Sequence, residues 1–213
     1  MPRQNRVTPH GEIVATASRG MFMGNRGILH DQQGQLTGRQ WELERWIICK
    51  LSFKGRKRNV MTPGHYTGLF FLDEATALAA GHRPCWECRR EEHERFKRAW
   101  LAGNPQYCLP DDARIPLIDA RLHQERTAAK TYRDVLTDLP DGTFVVLPDQ
   151  DDKAFLVWES RLHPWTPAGY EAVLSVDASS DVIVITPRST VAALRAGYRP
   201  EVALHASVAI DNL

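Results

Sequence analysis

Ten residues, Gly81-His82-Arg83-Pro84-Cys85-Trp86-Glu87-Cys88-Arg89-Arg90, constrain this chain more than any others. A strand over 67–71 runs into Asp73, which caps an alanine-rich helix over 74–80. Gly81 then stands where a helix stop wants a left-handed residue, and Pro84 blocks continuation. The chain must turn sharply before two cysteines set two residues apart at the mouth of the next helix. That spacing lets both thiolates reach one metal ion, and the helix N-terminus favours their negative charge. A redox pair would want a thioredoxin-like strand before the motif and a helix starting inside it. A helix and a Gly-x-x-Pro turn stand there instead, which points to metal.

A tetrahedral site needs two more ligands. Cys49 is the best third candidate, because a hairpin through 50–71 would return it beside the knuckle. His82 heads the candidates for the fourth place, with His65, His93 and Cys108 as alternatives. Three of these four have an ordinary reading as well. His82 packs as an aromatic behind the turn, His93 sits solvated on a charged helix, and Cys108 is a small buried residue.

The 213 residues suffice for one large domain or two small ones with a true core. Lys and Arg number 27 against 26 Asp and Glu, a formal net charge of +1. The chain is therefore no polybasic nucleic-acid binder, and any such contact must come from a local patch. Lys50, Lys54, Arg56, Lys57 and Arg58 form one around Gly55, read either as a solvated hairpin tip or as a phosphate-contacting loop. The N-terminus lacks the apolar stretch of a signal peptide, and no apolar run is long enough to span a bilayer. The expected compartment is the cytoplasm, where cysteines serve as thiols or ligands rather than disulfides.

Strands are expected over 12–16, 21–23 and 46–51. Helices are expected over 91–102, where Phe96 and Trp100 share a face, and over 116–129, with Ile118 and Leu122 inward. Beyond Pro140-Asp141-Gly142 strands dominate, over 143–147, 154–158, 171–176 and 182–186. The segment 182–200 repeats the order strand, polar cap, Ala/Leu-rich helix and Gly197-Tyr198-Arg199-Pro200, without a Cys-x-x-Cys. A common helix stop accounts for that echo. The fold class read from this pattern is α+β: a strand–helix–CxxC–helix zinc knuckle within residues 1–139, and a small β-rich unit over 140–213. One continuous fold is the alternative.

The stretch Leu69-Phe70-Phe71-Leu72-Asp73-Glu74-Ala75, continued through Ala79-Ala80-Gly81-His82-Arg83-Pro84-Cys85-Trp86-Glu87-Cys88-Arg89, resembles the Ada-type metal-binding domain of DNA alkylation-repair proteins. The similarity covers roughly residues 46–90. It implies a structural-type zinc held by four cysteines, one of which accepts a methyl group from a DNA phosphotriester in the repair proteins. Cys85 and Cys88 match the second pair. Of the first pair only Cys49 is present, with Phe53 or Arg45 at the partner position.

Asp119 and His123, with Arg126 nearby, share a helix face and read more readily as a surface pair than as a site. Trp165 and Tyr170 read as a plug at a sheet end rather than a base-stacking platform. Walker, Gly-x-Ser-x-Gly and His-Glu-x-x-His signatures are absent. The leading expectation is a cytoplasmic zinc protein that contacts nucleic acid, DNA foremost, in repair or processing. Its phosphate contacts would come from Lys54, Arg56, Lys57, Arg58, Arg83, Arg89 and Arg90. The alternatives are a nucleic-acid hydrolase or methyl-accepting repair enzyme, and a zinc-stabilised module that binds a protein partner.

Overall fold

The structure is a computed structural model and describes residues 2–55, 60–128, 131–177 and 179–204. The first half of the chain builds a six-stranded sheet from very short strands. They are β1 (Gln4–Val7), β2 (Ile13–Ala15), β3 (Phe22–Asn25), β4 (Ile47–Lys50), β5 (Leu69–Phe71) and β6 (Arg83–Pro84). Their order is β2-β1-β5-β3-β4-β6. β1 runs parallel to β5 and β6 runs parallel to β4, while the other neighbours are antiparallel. Strands this short need a covered face to be stable. Phe22, Ile48, Leu69 and Phe71 supply it, packing against helices.

Those helices are α1 (Glu74–Ala79), α2 (Arg90–Gly103), α3 (Ile115–Thr127) and α4 (Arg188–Arg195). Asp73 caps α1, its carboxylate accepting from the Thr76 N–H at 2.8 Å. Phe96 and Trp100 lie one turn apart on α2, and Ile118 and Leu122 on α3; all four are fully buried. Each such side chain contributes about 1.5–3 kcal/mol by leaving water. Tyr198, just past α4, closes this core with its ring edge-on to Phe96 at 5.3 Å.

The second sheet is antiparallel throughout: β7 (Tyr132–Val135), β8 (Phe144–Leu147), β9 (Gln150–Trp158), β10 (Arg161–Thr166), β11 (Gly169–Tyr170) and β12 (Asp181–Val184). Its order is β11-β10-β9-β8-β12-β7. One face buries Val145, Phe155, Val157 and Val182. The other packs Phe144 and Leu156 against Ala75 and Ala79 of α1.

The α+β class expected from the sequence, an Ada-like knuckle plus a small β-rich unit, is corrected by this architecture. Among the described residues the chain is mostly β, with two six-stranded sheets and four short helices. Residues 4–50 supply four of the first sheet's strands. The expected strand over 171–176 is also replaced. Apart from one bridge between Leu174 and Leu162, this stretch is an exposed connection.

Candidate metal centre

Strand pairing brings the cysteines together. Cys49 sits near the end of β4, and β6 lies parallel beside it, pairing Ile47 with Arg83 and Ile48 with Pro84. The next residue, Cys85, donates its N–H to the Ile48 carbonyl at 2.9 Å, so it emerges alongside Cys49. The turn then closes through the Arg89 N–H on the Cys85 carbonyl at 3.0 Å, which swings Cys88 back at the start of α2. The three Sγ atoms lie within 4.8 Å of one another and all three residues are buried. Met23, with Ile47, Phe53 and Phe70, walls the cluster.

Three thiols this close cannot all ionise unless a cation joins them. Cys85 is the one held well below the ordinary thiol range. Side-chain hydrogen bonds from Cys49 and Cys88 come first among the causes, followed by the backbone N–H groups of Cys88 and Glu87. Cys49 is pushed far up by its hydrogen bonds to Cys85 and Cys88 and then by burial. Of the three, Cys85 is thus the thiol that ionises most readily, at the expense of its neighbours. A bound cation reverses this by taking the charge of all three. The donor set therefore fits a metal ion, and Cys49, Cys85 and Cys88 could hold one.

Two of these cysteines, Cys49 and Cys85, also line a cavity of about 570 Å³. His65 and Glu87 stand on its wall and are the remaining lining residues with good ligating groups, while Asn25, Tyr66 and Thr67 add further polar atoms. The fourth position of the trio is thus not closed over by a fourth cysteine. At the two positions where the Ada-type resemblance could want one, Phe53 contributes a half-buried ring and Arg45 is exposed.

The other sequence candidates are placed elsewhere. His82 is outside the trio and fully buried, with its ring 5.1 Å from Trp46 and 4.7 Å from Phe71. Its Nε2 accepts from Arg26 Nε at 3.3 Å. Burial, then the Arg26 and Arg126 charges, hold it neutral, well below the usual histidine value. His93 is buried rather than solvated, with Nδ1 3.0 Å from the Pro84 carbonyl. Cys108 is exposed rather than buried, in a left-handed conformation after a 3-10 turn.

Of the expected phosphate contacts, Arg83 and Arg89 point inward. Arg83 grips Asp119 with two 2.7 Å hydrogen bonds. Arg89 grips Glu74 with two at 3.0 Å and lies 4.3 Å over the Phe22 ring. Buried bidentate pairs of this kind are structural, and neither guanidinium faces solvent. Lys54 and Arg90 are exposed, Arg90 stacked 4.6 Å over the exposed Trp86. Arg56, Lys57 and Arg58 lie outside the described residues.

Asp119 is consequently no surface partner of His123; it is the buried counter-charge of Arg83. Trp165 and Tyr170 pack on the start of α1, Trp165 Nε1 donating to Thr76 Oγ1 at 3.1 Å and the Tyr170 hydroxyl to Asp73 at 2.7 Å. Sequence reading missed the stack behind the knuckle, where Arg26 and Arg126 each lie 4.0 Å from the Trp46 ring. No local pattern marks it, since its members come from three distant segments. Burial brings both arginines down to about 9.

No family model, curated protein or solved structure matches the chain. Among the described residues no helix is long and apolar enough to cross a membrane.

Proposed function

We propose that this protein carries zinc on Cys49, Cys85 and Cys88 and acts on nucleic acid. The observation that carries the reading is the buried three-sulfur cluster with a cavity at two of its members. Soft thiolate sets select zinc among the common divalent ions, and such sites are nearly always tetrahedral. Structural zinc sites are closed by four protein ligands, whereas reacting ones keep a position for water or substrate. The cavity favours the second kind, and with it the enzyme reading over a purely structural interaction module. Bound there, zinc would polarise whatever occupies the fourth position. The Ada-type resemblance of residues 69–89 supports a DNA-related role, and Lys54 and Arg90 are exposed near the centre to meet phosphate.

Metal analysis of the purified protein tests this. One zinc per chain is expected, lost in Cys49→Ala, Cys85→Ala and Cys88→Ala and retained in His82→Ala. A cobalt-substituted protein separates the two kinds of fourth ligand. If His65 closes the site, His65→Ala changes its visible spectrum; if the site is open, added azide or imidazole does so in the unaltered chain. A chain that takes up no zinc overturns the proposal.

A further inference from the structure

A second concavity, of about 1220 Å³, opens on the side of the first sheet and shares Met23, Val60 and Thr62 with the metal-side cavity. The two are therefore neighbours across one wall. Arg3, Arg6 and Arg19 line the larger one, and none of its described lining residues is acidic. In a chain whose net charge is only +1, three guanidiniums in one groove without a carboxylate are a local concentration of charge. Among the described residues none of the three forms an ion pair. Arg3 donates to the Val60 carbonyl at 2.8 Å. Arg6 donates to the Ser18 carbonyl at 2.7 Å and lies 4.6 Å over the Phe70 ring. Arg19 is exposed and has no hydrogen-bond partner among the described residues. Arg3 is thus oriented by the backbone, Arg6 by the backbone and by the Asn5 side-chain carbonyl that takes its Nη1, and neither meets a carboxylate among the described residues. Met61, Leu51 and Phe70 give the same groove an apolar floor.

We propose that this groove binds a single strand of nucleic acid by its phosphates and leads it to the metal-side cavity. The idea rests on the nucleic-acid reading above and supplies it with a surface. A basic groove with apolar ground beside it is the arrangement that holds single strands, with charges on the backbone and bases against the floor. The volume exceeds that of an ordinary small-ligand pocket, about 300–1,000 Å³, and suits a run of nucleotides better than one. The partner has to be anionic, because the groove offers no counter-charge of its own. Of the nominated residues that the structure describes, Lys54, Arg83, Arg89 and Arg90, none lines the groove. Arg3 precedes β1, Arg6 lies on it and Arg19 stands in the turn before β3.

The test is fluorescence anisotropy of a labelled deoxythymidine octamer against the full chain, with zinc content measured on the same samples. Binding that weakens with salt is expected. Each neutralised phosphate of a single strand contributes a slope of about −0.7 in log K against log salt, so three give roughly −2. Arg19→Gln, which breaks no hydrogen bond or ion pair among the described residues, should weaken binding about 5-fold or more and flatten the slope by about 0.7. Arg6→Gln should do the same, with the melting temperature checking that β1 stays in place. Both variants should keep their zinc. Octamer binding that ignores both substitutions overturns the proposal, as does thymidine monophosphate competing as well as the unlabelled octamer. Loss of zinc with octamer binding intact would instead remove the metal reading and leave the groove standing.

Discussion

His82 shows how one residue next to a metal motif is committed to the interior. Arg26 Nε points at its Nε2, and both Arg26 and Arg126 lie close enough to oppose a positive charge on the ring. Its folded pKa lies below the unfolded value of about 6.5. The sign of the linkage follows. An unfolded chain binds a proton here that the folded chain refuses, so the stability this residue lends is complete above about pH 6.5. It is lost progressively as pH falls towards the depressed folded value. His82→Asn removes the titration but not the burial. The gap in urea-unfolding free energy between the two proteins should therefore narrow from pH 7.5 to pH 5. Parallel curves would show that the ring does not titrate on unfolding. At the same scale, Asp119→Asn leaves the Arg83 guanidinium buried against a neutral partner. Breaking a buried pair this way costs on the order of 3–5 kcal/mol. Denaturant titration should show that loss, and a change under 1 kcal/mol would mean that water reaches the pair.

Elements were readable where a local rule decides them. The Asp73 cap, the α2 face of Phe96 and Trp100, and the stop at Gly81 each follow from residues within a turn of one another. β1, β6 and β7 did not stand out, because Gln4-Asn5-Arg6-Val7, Arg83-Pro84 and Tyr132-Arg133-Asp134-Val135 gain their strand character from partners far along the chain. The site divides in the same way. A hairpin through 50–71 nominates Cys49, but β3 stands between β4 and β5, and it is the parallel pairing of β4 with β6 that brings Cys49 to the knuckle. His82 and Arg83 are fixed by partners 56 and 36 positions away. The two helix stops allow a controlled comparison. Gly81 and Gly197 have φ of +84° and +97°. Both stops use the same pair of backbone bonds, Gly81 to Leu78 and His82 to Ala77, Gly197 to Leu194 and Tyr198 to Ala193. The order that resembled a coincidental helix stop is therefore repeated in geometry. A Cβ at Gly197 meets nothing within 4 Å, whereas one at Gly81 would lie 2.9 Å from Arg126 Cδ. Gly197→Ala should cost about 1–2 kcal/mol from the left-handed backbone alone. Gly81→Ala should cost more, since it also displaces Arg126. Equal losses in thermal melts would mean that the Arg126 side chain moves aside freely.

At the scale of the molecule, α1 is the joint. Its Ala75 and Ala79 pack into the second sheet, while Ala77 and Leu78 pack into the first. Glu74 accepts from Arg89 on one side, and from the Tyr198 hydroxyl at 2.6 Å and the Glu201 N–H at 3.0 Å on the other. Arg89 follows Cys88 directly, so the sulfur cluster is one residue from this network. α2, which starts there, packs along α4 through Phe96 and Tyr198. A metal that fixes Cys49 to Cys85 and Cys88 therefore holds β4, β6 and the start of α2 in place, and through them the contact with the second half. Binding to the folded state alone stabilises it by about 4 kcal/mol when the free ion is a thousand times its Kd. For a chain of this size each kcal/mol moves the melting temperature by roughly 2–4 °C. Chelation should then lower the midpoint by about 10 °C. Because the network spans both sheets, calorimetry should show one transition moving as a whole rather than one of two. A second transition that ignores the chelator would mean that the sheets melt independently, and an unmoved midpoint would mean that the three sulfurs hold no ion in solution.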